Sequence, residues 1–257
     1  MNMNVEDVKI KSKNNYNISA SLYIPNEDID KIVIACHGFG GDKESSAIKY
    51  LAETIYKDNI GLICFDFPGH GQSEVNGDKL TISNCINDIE AIETYIKNRF
   101  GDKIEINIFA TSFGAYITLL KIFTRRTQYN KIILRAPAIK IDEIFKDTLL
   151  REPFEKFKER KVTTLGFERK MLISYEFYED LAKNKIIDLY NSNQYILIIQ
   201  GTEDDVAPIK DTKEFLSLDP NNIELYEIDG ADHRMKKDGE LEKAISKAYS
   251  YLRKEKM

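Results

Sequence analysis

Two kinds of hydrophobic pattern alternate along the chain. Short, near-continuous apolar runs occur at "KIVIAC", "GLICFDF", "IEINIFA", "KIILRAP", "YILIIQG" and "IELYEID". Runs of this length without polar alternation predict strands covered on both faces. Between them lie stretches in which apolar residues return every three or four positions. The clearest is "TISNCINDIEAIETYIKNRFG", where Ile82, Cys85, Ile86, Ile89, Ile92 and Ile96 share one helical stripe and Gly101 supplies a C-terminal stop. Ahead of all these, "VEDVKIKS" and "YNISASLYIP" carry period-two spacing (Ile18, Ala20, Leu22, Ile24) around Asn14-Asn15, which predicts an antiparallel hairpin. A hairpin followed by repeated βα units predicts an α/β fold, with a mostly parallel central sheet flanked by helices.

The rhythm breaks between Ile139 and Asn193. This stretch is densely charged, with Phe145, Phe154, Phe157, Phe167, Phe177 and Tyr178 interspersed, and the next core strand waits until Tyr195. It reads as an insertion over the C-terminal edge of the sheet, a solvated helical excursion whose aromatics pack on the core. Some of them are also placed to line an apolar pocket beneath it. Residues 1–257 are accordingly read as one domain, with 139–193 as a cap insertion within it.

Composition narrows the function classes. A length of 257 residues, 42% hydrophobic and 31% charged, suits one soluble α/β domain rather than a disordered chain. A formal charge of −5 without a compact Lys/Arg block argues against nucleic-acid binding. No apolar run approaches the ~18 residues of a membrane span, and "MNMNVEDVKI" lacks the features of a secretory signal. Cys36, Cys64 and Cys85 are spaced unlike a disulfide or zinc framework, so a reducing, cytoplasmic location is expected. The oligomeric state is left open.

The candidate chemistry begins at "ATSFGA", where Ser112 follows a strand pattern and opens a helix pattern between small residues. Such a turn lifts a hydroxyl clear of the backbone and sets it at a helix N-terminus, where developing negative charge is favoured. "AISKA", around Ser246, shares the small-x-Ser-x-small spacing but has no strand before it. A serine needs a base, and the chain holds three histidines: His37 in "HGFGG", His70 in "DFPGHGQS" and His233 in "GADHRM". The loop "GTEDDVAP" offers Asp204 or Asp205 beyond another strand. Taken singly, His233 could finish a turn and either aspartate could cap the helix near Pro208. Serine, acid and histidine at three successive strand ends together point to an activated nucleophile.

"HGFGG", "DFPGHGQS", "ATSFGA", "GTEDDVAP" and "GADH" resemble successive signature loops of the α/β-hydrolase superfamily, serine-nucleophile branch. The resemblance covers nearly the whole chain outside the insertion. It implies a triad of Ser112, Asp204 and His233, with the acid placed by the pattern G-x-x-D-x-V-x-P, and an oxyanion hole from the N–H groups of Phe39 and Phe113. It makes His37, Asp66 and His70 braces for loops, and it implies no metal or organic cofactor. Ala110 departs from the usual first glycine of the serine turn. A serine here is unlike the haloalkane dehalogenase and epoxide hydrolase branches, which carry aspartate. With "TLGFERKMLISYEFYE", the loops look similar to cinnamoyl/feruloyl-type esterases. The implied activity is hydrolysis of small to medium acyl or aryl carboxylic esters, including hydroxycinnamates, of the EC 3.1.1 class. Acyl-thioesterase and serine peptidase activities share the same first steps and stay open, and a non-catalytic ligand-binding member of the fold is the alternative that a degenerate triad would favour, whereas all three members are present here.

Overall fold

The computed structural model describes residues 3–26, 28–166 and 169–254. Every apolar run forms a strand. The opening hairpin is β1 (Val5–Lys11) and β2 (Asn17–Tyr23), with Ile10 opposite Ile18. Asn15 turns the corner at a left-handed φ of 62°, a conformation asparagine tolerates better than most residues. There follow β3 (Lys31–Cys36), α1 (Ser46–Tyr56), β4 (Ile60–Phe65), α2 (Ile82–Phe100), β5 (Glu105–Thr111), α3 (Phe113–Arg125) and β6 (Ile132–Arg135). Next come α4 (Ile141–Ile144), α5 (Phe154–Arg160), β7 (Val162–Leu165), β8 (Met171–Ser174), α6 (Tyr175–Lys183) and α7 (Ile186–Leu189). The chain closes with β9 (Ile196–Gly201), α8 (Ile209–Leu216), β10 (Ile223–Ile228) and α9 (Glu240–Arg253).

Among the described residues the main sheet has eight strands in the order β1-β2-β4-β3-β5-β6-β9-β10. The first two run antiparallel to their neighbours and the rest are parallel. Strand periodicity divides the apolar residues between two cores. Ile32 and Ile34 of β3 and Ile108 of β5 meet the Ile86, Ile89 and Ile92 stripe of α2 on one face. Val33, Ala35 and Leu62 meet Leu51 of α1 and Ile245 of α9 on the other. Each fully buried isoleucine or leucine contributes roughly 1.5–3 kcal/mol, so both faces are needed. The α2 boundaries follow the sequence. The Thr81 hydroxyl accepts from the Asn84 amide at 3.0 Å, and Gly101 ends the helix at a φ of 90° that side chains rarely adopt. All three cysteines are free and buried. No described helix is long and apolar enough to cross a membrane.

Residues 139–193 are more than a helical excursion. β7 and β8 pair as a separate antiparallel hairpin, with Leu165 opposite Met171. The short alternations "VTTL" and "MLIS" carry the strand period, but four residues amid charges give a faint signal. Gly166 bends the chain at a φ of 108°. Arg169 then fastens the hairpin to the loop after β4, donating to the carbonyls of His70, Gly71, Ser73 and Val75 at 2.8–3.3 Å. Phe145, Phe157 and Phe177 are buried in the main core, while Phe154 and Tyr178 pack at its margin. Phe167 lies outside the described residues. Through Phe145 against Phe39 and Phe177 against Phe113, this stretch packs on the loops at the carboxyl ends of β3 and β5.

Candidate active site

Ser112 sits at the sharp turn from β5 into α3, with φ 51° and ψ −112°. For a residue with a side chain this backbone costs on the order of 1–3 kcal/mol, so the surroundings must hold it. They do so through β6, the loop after it and α3. The Ser112 amide donates to the Arg135 carbonyl of β6 at 3.0 Å, and the Ser112 carbonyl accepts from Tyr116 and Ala138 at 3.0 and 3.3 Å. The small neighbours have separate reasons. A methyl group on Gly114 would lie 2.6 Å from the His37 carbonyl oxygen and 2.8 Å from that of Cys36, because the first turn of α3 rests on the end of β3. Ala110, by contrast, is an interior strand residue between Cys36 and Leu134, and its methyl group packs in the core.

His233 follows β10 and reaches back across the sheet edge. Its Nε2 lies 3.1 Å from Ser112 Oγ, and its Nδ1 lies 2.9 and 3.0 Å from the two carboxylate oxygens of Asp204. A carboxylate can only accept, so Nδ1 carries the proton and donates to Asp204. Nε2 is then the free lone pair that accepts from the serine hydroxyl. Asp204 is 8% exposed, and it also accepts from the amides of Val206 and Ala207 at 3.0 and 2.8 Å and from the Gln200 side chain at 3.1 Å. Asp205 points to solvent. The structure therefore brings Asp204, and not its neighbour, to His233. The two loops are laced together: Glu203 donates to the Ala231 carbonyl at 3.1 Å and Gly230 to the Thr202 hydroxyl at 2.8 Å. Gly201 makes this approach possible, since a Cβ there would strike the Ala231 carbonyl.

Phe39 and Phe113 flank the serine, their rings 5.8 Å apart in an edge-to-face pair. Phe113 is the first residue of α3, so its amide has no partner within the helix. Among the described residues neither this amide nor that of Phe39 donates to a protein acceptor.

The other two histidines are held as neutral rings. His37 Nδ1 donates to the Gly38 carbonyl at 2.8 Å and Nε2 accepts from the Phe67 amide at 3.1 Å, so both nitrogens are used. Burial lowers its pKa. His70 Nδ1 donates to the Pro68 carbonyl at 3.0 Å, whereas its Nε2 is buried without a partner. Burial first, and then the neighbouring His37, push its pKa down to about 3. Asp66 ties the two loops, accepting from the amides of Lys43 and Gln72 at 2.8 Å each. Ser246 of "AISKA" is exposed in the middle of α9, with no histidine near it in the hydrogen-bond network.

Arg135 is a residue the sequence reading passed over. It ends β6 only 8% exposed, and its Nη1 donates to the His233 carbonyl at 3.2 Å. A charge closing the run "KIILRAP", beside the turn that carries Ser112, was the available signal. With Ser112 and His233 it lines an open groove of about 540 Å³. Among the described residues no group of His, Cys, Asp or Glu is arranged to hold a metal ion.

The constellation places a hydroxyl on an imidazole lone pair and the imidazole on a carboxylate, with the hydroxyl at the N-terminus of α3, whose first amide belongs to Phe113. Such a set can move a proton off the oxygen and receive negative charge. Comparison with known proteins gives the same direction. The family model described as serine aminopeptidase, S33, matches residues 27–188. A monkeypox virus monoglyceride lipase homolog is 23% identical over 243 residues, 84% of this chain and 86% of that one. A protein of Acanthamoeba polyphaga mimivirus described as an α/β hydrolase is 30% identical over 129 residues; the match spans 49% of this chain and about half (47%) of that one. Est1E from Butyrivibrio proteoclasticus, solved with ferulic acid bound, superimposes with a TM-score of 0.80 at 21% identity, covering 96% of this chain and all of its own (100%). At that identity the likeness is one of fold.

Proposed function

The chain belongs to the serine aminopeptidase S33 family of α/β hydrolases, and on that premise we propose that it is a serine hydrolase of carboxylic esters. In this reading His233 Nε2 takes the proton of Ser112 as the oxygen attacks the ester carbonyl. The amides of Phe39 and Phe113 receive the oxyanion. Asp204 fixes the ring tautomer and stabilises the imidazolium, which then protonates the departing alcohol. Water, deprotonated by the same ring, releases the acid from Ser112. Residues 139–193 act as a cap within a single domain, and no cofactor takes part. The observation that carries the reading is the continuous hydrogen-bonded path from Ser112 Oγ through His233 to Asp204.

For the acyl group we favour small to medium acyl or aryl chains, hydroxycinnamates among them. The rings of Phe39, Phe113 and Phe177 beside the serine turn support this, as does the fold shared with the ferulate-bound Est1E. The family description supports peptide amides as the second reading, because the first chemical steps are the same. Initial rates on nitrophenyl esters, hydroxycinnamate esters, monoacylglycerols, acyl-CoAs and aminoacyl amides separate the two. Ester turnover that falls about 10⁴-fold or more in kcat in Ser112→Ala is the expected result. Turnover of amides alone would overturn the ester assignment.

A further inference from the structure

Arg135 has a property that holding a loop does not require. The residue is more than nine-tenths buried, and its direct partners are both neutral: the His233 carbonyl at 3.2 Å and the Thr111 hydroxyl at a long 3.4 Å. Among the described residues no carboxylate stands within ion-pairing distance of it. Asp204 and Asp232 act on it only from farther away, and burial outweighs them, drawing its pKa down to about 10. Asp204 is already engaged by His233, two amides and Gln200. Buried charges are normally paired, because an unpaired ion loses its hydration without return. This cation lines the groove it shares with Ser112 and His233.

The groove has a direction. One wall is the loop after β3, and the other is His233, Arg234 and Leu241; no described residue of 139–193 lines it. The ring that protonates the departing alcohol stands on this side, whereas the aromatic insertion packs on Phe113, which does not line the groove, and on the ring of Phe39, which borders it. The groove is thus the place of the alcohol portion of an ester. Ser45, Ser46 and Ala47, at the start of α1, also line it, and no side chain caps that helix. Its first-turn amides add positive potential. Two carboxylates stand on the outer wall. Glu44 is paired with Lys43 and Lys49, and Asp42 accepts from the Glu44 amide.

We propose that this groove binds an anionic group, carboxylate or phosphate, on the alcohol portion of the substrate, with Arg135 as its counter-ion. The inference rests on the esterase reading above and narrows it to esters whose leaving alcohol carries negative charge. A planar guanidinium suits either anion by a two-pronged contact.

Three acetyl esters with the same acyl group test it: 3-acetoxybenzoate, 3-acetoxyphenyl phosphate and the neutral 3-acetoxybenzamide. In the wild type, kcat/KM for at least one anionic ester should exceed that for the amide by about tenfold or more, as expected for a charge-assisted contact. Which anion gains more identifies the natural group. The preference should shrink with added salt, collapse to near one in Arg135→Met, and survive in part in Arg135→Lys. Because Arg135 also holds the His233 carbonyl, absolute rates will fall in the variants, and the ratio isolates recognition from positioning. Should Arg135→Met fail to fold, competitive inhibition of the wild type by 3-hydroxybenzoate but not by 3-hydroxybenzamide decides the matter. Turnover of all three esters without anionic preference, or a preference unchanged in Arg135→Met, refutes the anion subsite and leaves the esterase reading standing. No turnover of any, with Ser112 unlabelled by a fluorophosphonate, refutes the esterase reading and this inference with it.

Discussion

Two adjacent aspartates show how sharply one residue's direction divides roles. Asp204 faces inward, accepting from two amides, Gln200 and His233, while Asp205 faces solvent. Asp204→Asn should therefore lower kcat by about four orders of magnitude, because an amide can present its N–H to the ring and favour the wrong tautomer. Asp205→Asn should leave ester turnover nearly unchanged. Equal losses in the two variants, measured on one nitrophenyl ester, would remove Asp204 from the proposed mechanism. At this scale the sequence is informative about residue type and less so about orientation. The spacing of "GTEDDVAP" narrows the acid to a loop, and the family pattern picks one of two neighbours. Only the fold shows which carboxylate the Val206 and Ala207 amides hold. Arg135 was harder to see, since a lone arginine at a strand end is ordinary until the histidine carbonyl is brought to it from 98 positions away.

Elements set the precision of the site. The start of α3 rests directly on the end of β3 at Gly114, leaving no room for a larger residue against the carbonyls of Cys36 and His37. Gly114→Val must either shift the helix or displace the loop that carries Phe39. A loss of roughly 1–3 kcal/mol in urea unfolding is expected, together with a fall in kcat from the disturbed serine turn. Wild-type stability and activity in Gly114→Val would show that the contact is slack. The strands and helices that build this contact were readable because their apolar periods are long and unbroken, as in β3, α2 and β9. The hairpin of β7 and β8 was not, because each of its strands has four residues and its stability comes from Arg169 and the glycine-rich approach to the loop after β4. A residue on Gly77, for example, would meet the Leu172 carbonyl oxygen at 2.5 Å. Those partners lie about a hundred residues upstream of Arg169, beyond any local pattern.

At the scale of the molecule, buried titratable groups couple the fold to pH. In the unfolded chain His70 binds a proton near its ordinary pKa of about 6.5, but in the fold it does so only near 3. Between those values the unfolded state holds more protons. The stability due to this group is therefore complete above about 6.5 and is lost on acidification, by about 1.4 kcal/mol per pH unit. Asp88 works the other way: burial lifts its carboxyl to about 6 despite hydrogen bonds from Tyr16 and Ser12, so its burial costs stability as pH rises through that range. The informative quantity is accordingly the difference between wild type and His70→Gln in urea unfolding from pH 7.5 to 5. The variant should lose stability less steeply on acidification, and parallel curves would show that His70 is not protected. His37, His70 and Asp66 in turn brace the loop that carries Phe39, which ties the candidate centre to the fold around it. The most direct test of that centre is intact-mass analysis after exposure to a fluorophosphonate, with peptide mapping of the adduct, in wild type and His233→Gln. A single stoichiometric adduct on Ser112 is expected, formed rapidly in the wild type and orders of magnitude more slowly without the imidazole. A folded wild-type protein that stays unmodified, or is modified elsewhere, would contradict the proposed role of Ser112.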